Sequence, residues 1–131
     1  ARFATSGVNF GLFCATPGVP VSRNISQKRA FEMLMTGEFI DAKTALAWGL
    51  VNRVVPLAEL DAAVTTLAGR MMDKPPAVIG AGKRFFYAQL ECKLERAYET
   101  ASAAITRNML AAEGQEGVGA FVEKRKPRWN A

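Results

Sequence analysis

The chain has 131 residues, half of them hydrophobic and 22% charged, an ordinary globular balance with enough length for a modest core. It contains no histidine, which excludes Ser-His-Asp and Cys-His catalysis and the usual histidine-based metal sites, so no metal is expected. Acid–base work must then fall to carboxylates, lysines or tyrosines.

No apolar run approaches the roughly 20 residues of a membrane span. The opening residues, ARFATSGVNFG, lack the charged region and apolar core of a secretory signal. Cys14 and Cys92 are the only cysteines, and free thiols in a reducing compartment are expected. The net charge is +5, and from Glu123 onward four basic residues (Lys124, Arg125, Lys126, Arg128) face one acid. Such a tail reads as a solvated terminus, a phosphate-binding patch or a nucleic-acid footprint.

Taken in order, Ala1 to Gly11 reads as the end of a β-layer, with Phe3 and Val8 flanking Ser6-Gly7. A strand needs partners and the chain offers few, so this is expected to be the C-terminal part of a longer protein. Leu12 to Pro20 (LFCATPGVP) reads as an apolar loop, lining a cavity or interface or else tucked onto the core. Val21 to Ile25 suggests a helical turn, and Ser26 an N-cap for a helix through Thr36 with Phe31, Leu34 and Met35 on one face. Gly37 should close that helix in a left-handed conformation. Asp41 should cap the next, Ala42 to Trp48, and Gly49 end it. Val51, Val54 and Val55 favour extended backbone, and Pro56 bars a helix from continuing.

From here the pattern turns helical. Leu57, Leu60, Val64, Leu67 and Met71 recur at amphipathic spacing. Pro75-Pro76 starts a further helix to about Leu90, in which Val78, Phe85 and Phe86 are apolar. A long helix over roughly Lys93 to Ala112 carries Leu94, Tyr98, Ala101, Ile105 and Met109 along one stripe. A last one begins near Glu113 and stops before Pro127. These stripes are most simply core. Trp48 reads as packing at its helix end, Trp129 as a terminal anchor, and Arg23 and Arg53 as surface or ion-pair residues.

The string MLMTGEFIDAKTALAWGLVNRVVP (Met33 to Pro56) closely resembles the corresponding segment of the crotonase superfamily, the enoyl-CoA hydratases and isomerases. AFVEKRKP (Ala120 to Pro127) resembles the same superfamily's C-terminal signature. The resemblance implies an α/β crotonase-like fold, a spiral of ββα units, of which this chain is the mostly helical C-terminal part with a short β and loop section at its start. Residues 1–56 would be the last part of the spiral core, and residues 57–131 an α-helical trimerisation and CoA-contacting region. It also implies an acyl-CoA-processing enzyme of fatty-acid metabolism, assembled as a homotrimer or hexamer. It would be cytoplasmic, or in the mitochondrial matrix if eukaryotic, with coenzyme A thioester as substrate and no separate cofactor.

In that superfamily two backbone N–H groups form an oxyanion hole around the thioester carbonyl, and in hydratases two glutamates handle water and proton transfer. The oxyanion-hole segments and the first glutamate precede the matched region, so this chain alone is expected to be inactive. The second glutamate belongs to a strand-end Gln-Pro-Glu that matches Thr5-Ser6-Gly7, and its position falls on Gly7. Glycine has no proton to move, and a Ser6 hydroxyl without an activating partner is no base at neutral pH. The superfamily's Pro-Gly-x-Gly-Gly is altered to Pro17-Gly18-Val19-Pro20, and Leu12, Phe13, Pro17 and Gly18 are pocket-loop candidates.

Phe121 and Lys124 are three apart and would share a helical face, where the resemblance implies contact with the CoA nucleotide bound by a neighbouring subunit. A ring beside an ammonium suits adenine and its phosphate. The alternative is that Phe121 is core with Val118 and Val122 while Lys124 is solvated. Two functional readings stand: hydration of a 2-enoyl-CoA, or a non-hydratase or inactive acyl-CoA-binding and oligomerisation relative, which Gly7 favours. RNA binding through the tail is disfavoured because its positive charge is short and not interleaved with aromatics.

Overall fold

The computed structural model describes residues 1–129. The chain divides into two compact units, Ala1–Leu60 and the remainder from Asp61. Among the described residues no helix is long and apolar enough to cross a membrane, and both cysteines are free thiols.

In the first unit, β1 (Arg2–Phe3) pairs antiparallel with β2 (Ile40–Asp41), Arg2 opposite Asp41 and Phe3 opposite Ile40. A 3-10 turn, Ser6–Phe10, follows β1 and ends at Gly11, whose φ of 75° is left-handed. Val8 therefore lies in a tight turn and not in a strand, so the β-layer expected through Gly11 stops at Phe3. The stretch expected as a loop is helical from Ala15: α1 spans Ala15–Asn24 and absorbs the turn expected at Val21. Pro17, third in the helix, loses no intrahelical bond, because the first N–H groups of a helix have no partner. Pro20 sits inside α1 and removes one bond, a cost the rest of the helix absorbs.

The helix α2 (Gln27–Thr36) starts after Ser26, whose side chain makes no cap bond, and ends at Gly37 with φ 64°. It buries Ala30, Met33 and Leu34, an i, i+3, i+4 set, while Phe31 is 63% exposed and Met35 is also exposed. The face turned inward is thus shifted from the expected one, and only Leu34 belongs to both. Asp41 caps α3 (Ala42–Trp48), its Oδ1 accepting the Thr44 N–H at 2.7 Å, and Gly49 closes it at φ 81°. That hydrogen bond from the Thr44 amide holds the Asp41 carboxyl below its usual 3.8. Asp41 is a cap, as expected. Ile25, Ala30, Met33, Leu34 and Ala45 form the apolar core, and the buried Thr5 hydroxyl donates to the Met33 carbonyl at 2.8 Å. Trp48 is half-buried beneath the Arg29 guanidinium, 5.0 Å from its ring centroid. Val51 to Val55 is irregular, since among the described residues no strand lies beside it to pair with.

A 3-10 turn at Leu57–Glu59 leads into α4 (Leu60–Met72), followed by α5 (Pro76–Leu90), α6 (Leu94–Leu110) and α7 (Ala112–Val122). These boundaries follow the proline and periodicity signals closely. The burial does not. Leu57, Leu60, Val64, Leu67 and Met71 are exposed, as are Leu94, Tyr98, Ile105 and Met109. The half-buried residues of α6 are Ala97, Thr100, Ala101, Ala104 and Asn108, a small-residue face that lets α5 and α7 approach closely. Within this chain the large stripes are uncovered, while Ala120 of α7 is fully buried and Pro75 is buried as well.

Candidate functional site

Residues expected at the site fall in both units. In the first, Gly7 is half-buried in the 3-10 turn, and its N–H donates to Cys14 Sγ at 3.2 Å. Leu12 N–H returns to the Gly7 carbonyl at 3.0 Å, closing the segment between them into a loop. Phe10, Leu12 and Phe13 point outward from this loop at 79%, 70% and 54% exposure, so it is not tucked onto the core of this chain. Two pocket candidates are otherwise placed. Pro17 lies exposed on α1, and Gly18 is buried where α1 crosses α2, a Cβ there meeting Leu34 Cδ2 at 3.4 Å. Gly18 is thus a packing residue at the contact of α1 with α2.

In the second unit, α7 ends one residue after Phe121, which is 83% exposed; Val122 and Val118 are exposed too. The core alternative for Phe121 is thereby ruled out within this chain. Lys124 lies beyond α7, with a left-handed φ of 53°, so it does not share a helical face with Phe121 as the spacing suggested. The helix closes in a Schellman turn: Arg125 N–H reaches the Ala120 carbonyl at 3.0 Å and Lys124 N–H the Phe121 carbonyl at 3.2 Å. Glycine normally takes the left-handed position. A lysine there carries a cost of about 1 kcal/mol.

What holds it is the residue that follows. Arg125 Nη2 donates to Glu116 Oε2 at 2.9 Å, its Nη1 to Glu116 Oε1, and its Nε to Glu123 Oε2. The Arg128 backbone N–H also reaches Glu116 Oε1, at 2.7 Å. Trp129 anchors the tail: its Nε1–H donates to the Asp73 carbonyl at 3.1 Å, and its ring covers Gly117, where a Cβ would meet Cη2 at 3.4 Å. Hydrogen bonds from the Arg125 side chain, then from the Arg128 amide, lower the Glu116 carboxyl from 4.5 to about 2. Its native pKa is depressed, so its stabilisation is full above pH 4.5 and is lost as pH falls from there toward 2. The protection of the Lys124 and Arg125 amides, measured against their intrinsic exchange rates, should fall across that window, and Arg125→Gln should shrink this pH dependence to the part due to the Arg128 amide.

Among the described residues, two grooves are lined by other residues than those expected at the site. One lies between α5 and α6, lined by Val78, Phe85, Ala104, Ile105 and others; a smaller one is bordered by Pro20, Asn24, Gly49 and Asn52. Sequence reasoning missed Cys14, Glu116 and Arg125. The arginine was visible only as tail charge, and the Cys14 contact with Gly7 depends on a helix that the prolines disguised.

The enoyl-CoA hydratase/isomerase family profile matches residues 1–131. The chain belongs to this family. It is 46% identical over 130 residues to mouse enoyl-CoA hydratase domain-containing protein 3, mitochondrial, covering 99% of this chain and 43% of that protein. The crystal structure of an enoyl-CoA hydratase from Mycobacterium smegmatis superposes with a TM-score of 0.96 at 49% identity, over 100% of this chain and 51% of that one. Human enoyl-CoA hydratase domain-containing protein 3 superposes at 0.93 and 46% identity, over 98% and 51%. The chain thus spans about half the length of the proteins it matches, and its fold is the mostly helical C-terminal part of the crotonase fold.

Proposed function

We propose that the full-length protein binds acyl-CoA thioesters and that this chain supplies contacts to the CoA nucleotide, with chemistry other than hydration through a glutamate at position 7. The observation that carries the reading is the conformation of Lys124. Strain of this kind persists only where surrounding structure imposes it, and such strain clusters at ligand clamps. Here the Arg125–Glu116–Glu123 cluster fixes the turn, one turn beyond an aromatic ring that remains 83% exposed. An exposed ring and an ammonium carried on a fixed backbone turn offer a stacking face and a phosphate counter-charge. Lys126 and Arg128 add positive charge nearby in sequence.

Gly7 favours the non-hydratase reading, because it offers no group to carry a proton at the position matched to the hydratase glutamate. The oxyanion hole and any other carboxylate would come from outside this chain. Assembly as a trimer or hexamer fits the uncovered apolar stripes of α4 and α6, which are larger than scattered exposed residues need be. In a eukaryotic source the compartment would be the mitochondrial matrix, in keeping with the word mitochondrial in the relative's name; in a bacterium it would be the cytoplasm.

The test is a titration of the full-length protein with an acyl-CoA, beside Phe121→Ala and Lys124→Ala. Each substitution should weaken binding roughly fivefold to thirtyfold, on the order of 1–2 kcal/mol. Unchanged affinity in both would show that the nucleotide is held elsewhere.

A further inference from the structure

Glycine at position 7 is not demanded by backbone conformation, since Gly11, Gly37 and Gly49 are the glycines with positive φ. It is demanded by space. A Cβ at Gly7 would lie 2.6 Å from the Leu12 carbonyl oxygen and 2.7 Å from Cys14 Sγ, both well inside contact distance. The sulfur belongs to a side chain and can swing away. The carbonyl cannot, because its residue is fixed by the Leu12 N–H bond to the Gly7 carbonyl and by the left-handed Gly11 just before it. Cys14 is also held from below: its carbonyl accepts the Gly18 N–H at 2.9 Å, the first turn of α1, and Gly18 is packed against Leu34.

We infer that the Gly7–Cys14 segment is a reaction-determining unit: it closes position 7 to every side chain, so no carboxylate can be restored there by substitution. This rests on the acyl-CoA reading above and deepens it. Hydration adds hydroxide equivalent to one carbon of the enoyl double bond and a proton to the other, and the second glutamate is a proton carrier for that exchange. Here the volume at the root of that side chain is filled by the Leu12 carbonyl and the Cys14 thiol. A proton transfer that hydratases route through a side chain at this position must therefore be carried here by another group, and the Leu12 carbonyl and Cys14 thiol keep position 7 closed.

The experiment uses the full-length protein with Gly7→Ala, Gly7→Glu and Gly7→Glu/Cys14→Ala, reading thermal midpoint, acyl-CoA affinity and 2-enoyl-CoA hydration. Gly7→Ala should lower the midpoint by several degrees. Gly7→Glu should show no gain in hydration over the parent, and the double variant none either, because the carbonyl obstacle remains. A Gly7→Glu chain that fails to fold supports the closure, and Gly7→Ala then carries the measurement. A parent-like midpoint for Gly7→Ala, or a hundredfold gain in hydration for either glutamate variant, would overturn the inference. Failure of the parent to bind any acyl-CoA would instead sink the functional reading, while the midpoint of Gly7→Ala still reports on the closure.

Discussion

Leu34→Ala should lower the unfolding free energy by roughly 2–4 kcal/mol, the range for deleting a buried leucine side chain from a packed core. Leu34 is 7% exposed, shares the inward face of α2 with Ala30 and Met33, and is the residue on which Gly18 of α1 rests. Truncation opens a void beneath the helix crossing, and collapse is limited because the adjacent Met33 carbonyl is tied to the Thr5 hydroxyl. Phe31→Ala, one residue outside that face and 63% exposed, should cost well under half as much in this chain. Denaturant unfolding of both variants checks the assignment of the face. Equal losses would mean that α2 is rotated from the orientation described.

Gly37→Ala should also be severe, on the order of 2–3 kcal/mol, because two penalties act together. The φ of 64° is left-handed, and an added Cβ would lie 2.8 Å from Val8 Cγ2 and 3.0 Å from Asn9 Nδ2. Gly49 separates the two effects. Its φ is 81° but nothing lies within 4 Å of an added Cβ, so Gly49→Ala should cost only the strain, about 1 kcal/mol. If the two variants melted alike, the contacts of Gly37 with the Ser6–Phe10 turn would contribute nothing.

Much of the local structure is legible because it rests on local chemistry. Gly37 and Gly49 end helices in the conformation only glycine takes cheaply, Asp41 caps α3 through its own carboxylate, and Pro75-Pro76 marks the start of α5. What the chain cannot display locally is pairing and cover. The valines from Val51 to Val55 have extended propensity but no neighbouring strand, whereas Ile40 and Asp41 form β2 because β1 lies alongside. The stripes on α4 and α6 announce an apolar face truly, yet this chain does not supply what would bury it.

Two further features are hidden for opposite reasons. The prolines of α1 mimic a loop although one occupies the harmless first turn. At the C-terminal turn, a lysine stands where glycine is the expected signal, so the end of α7 and the departure of Lys124 from its face are invisible to spacing. The candidate site was legible as residue types, in Gly7, Phe121 and Lys124. Its supports were not, because Cys14, Glu116 and Arg125 act through contacts that only folding creates.

The most direct test of the account is to add a 2-enoyl-CoA to the full-length protein and follow binding and hydration together. The account predicts saturable binding with no hydration that depends on a group at position 7. Enzymatic hydration restored to a hydratase rate by Gly7→Glu, or the absence of binding, would contradict it.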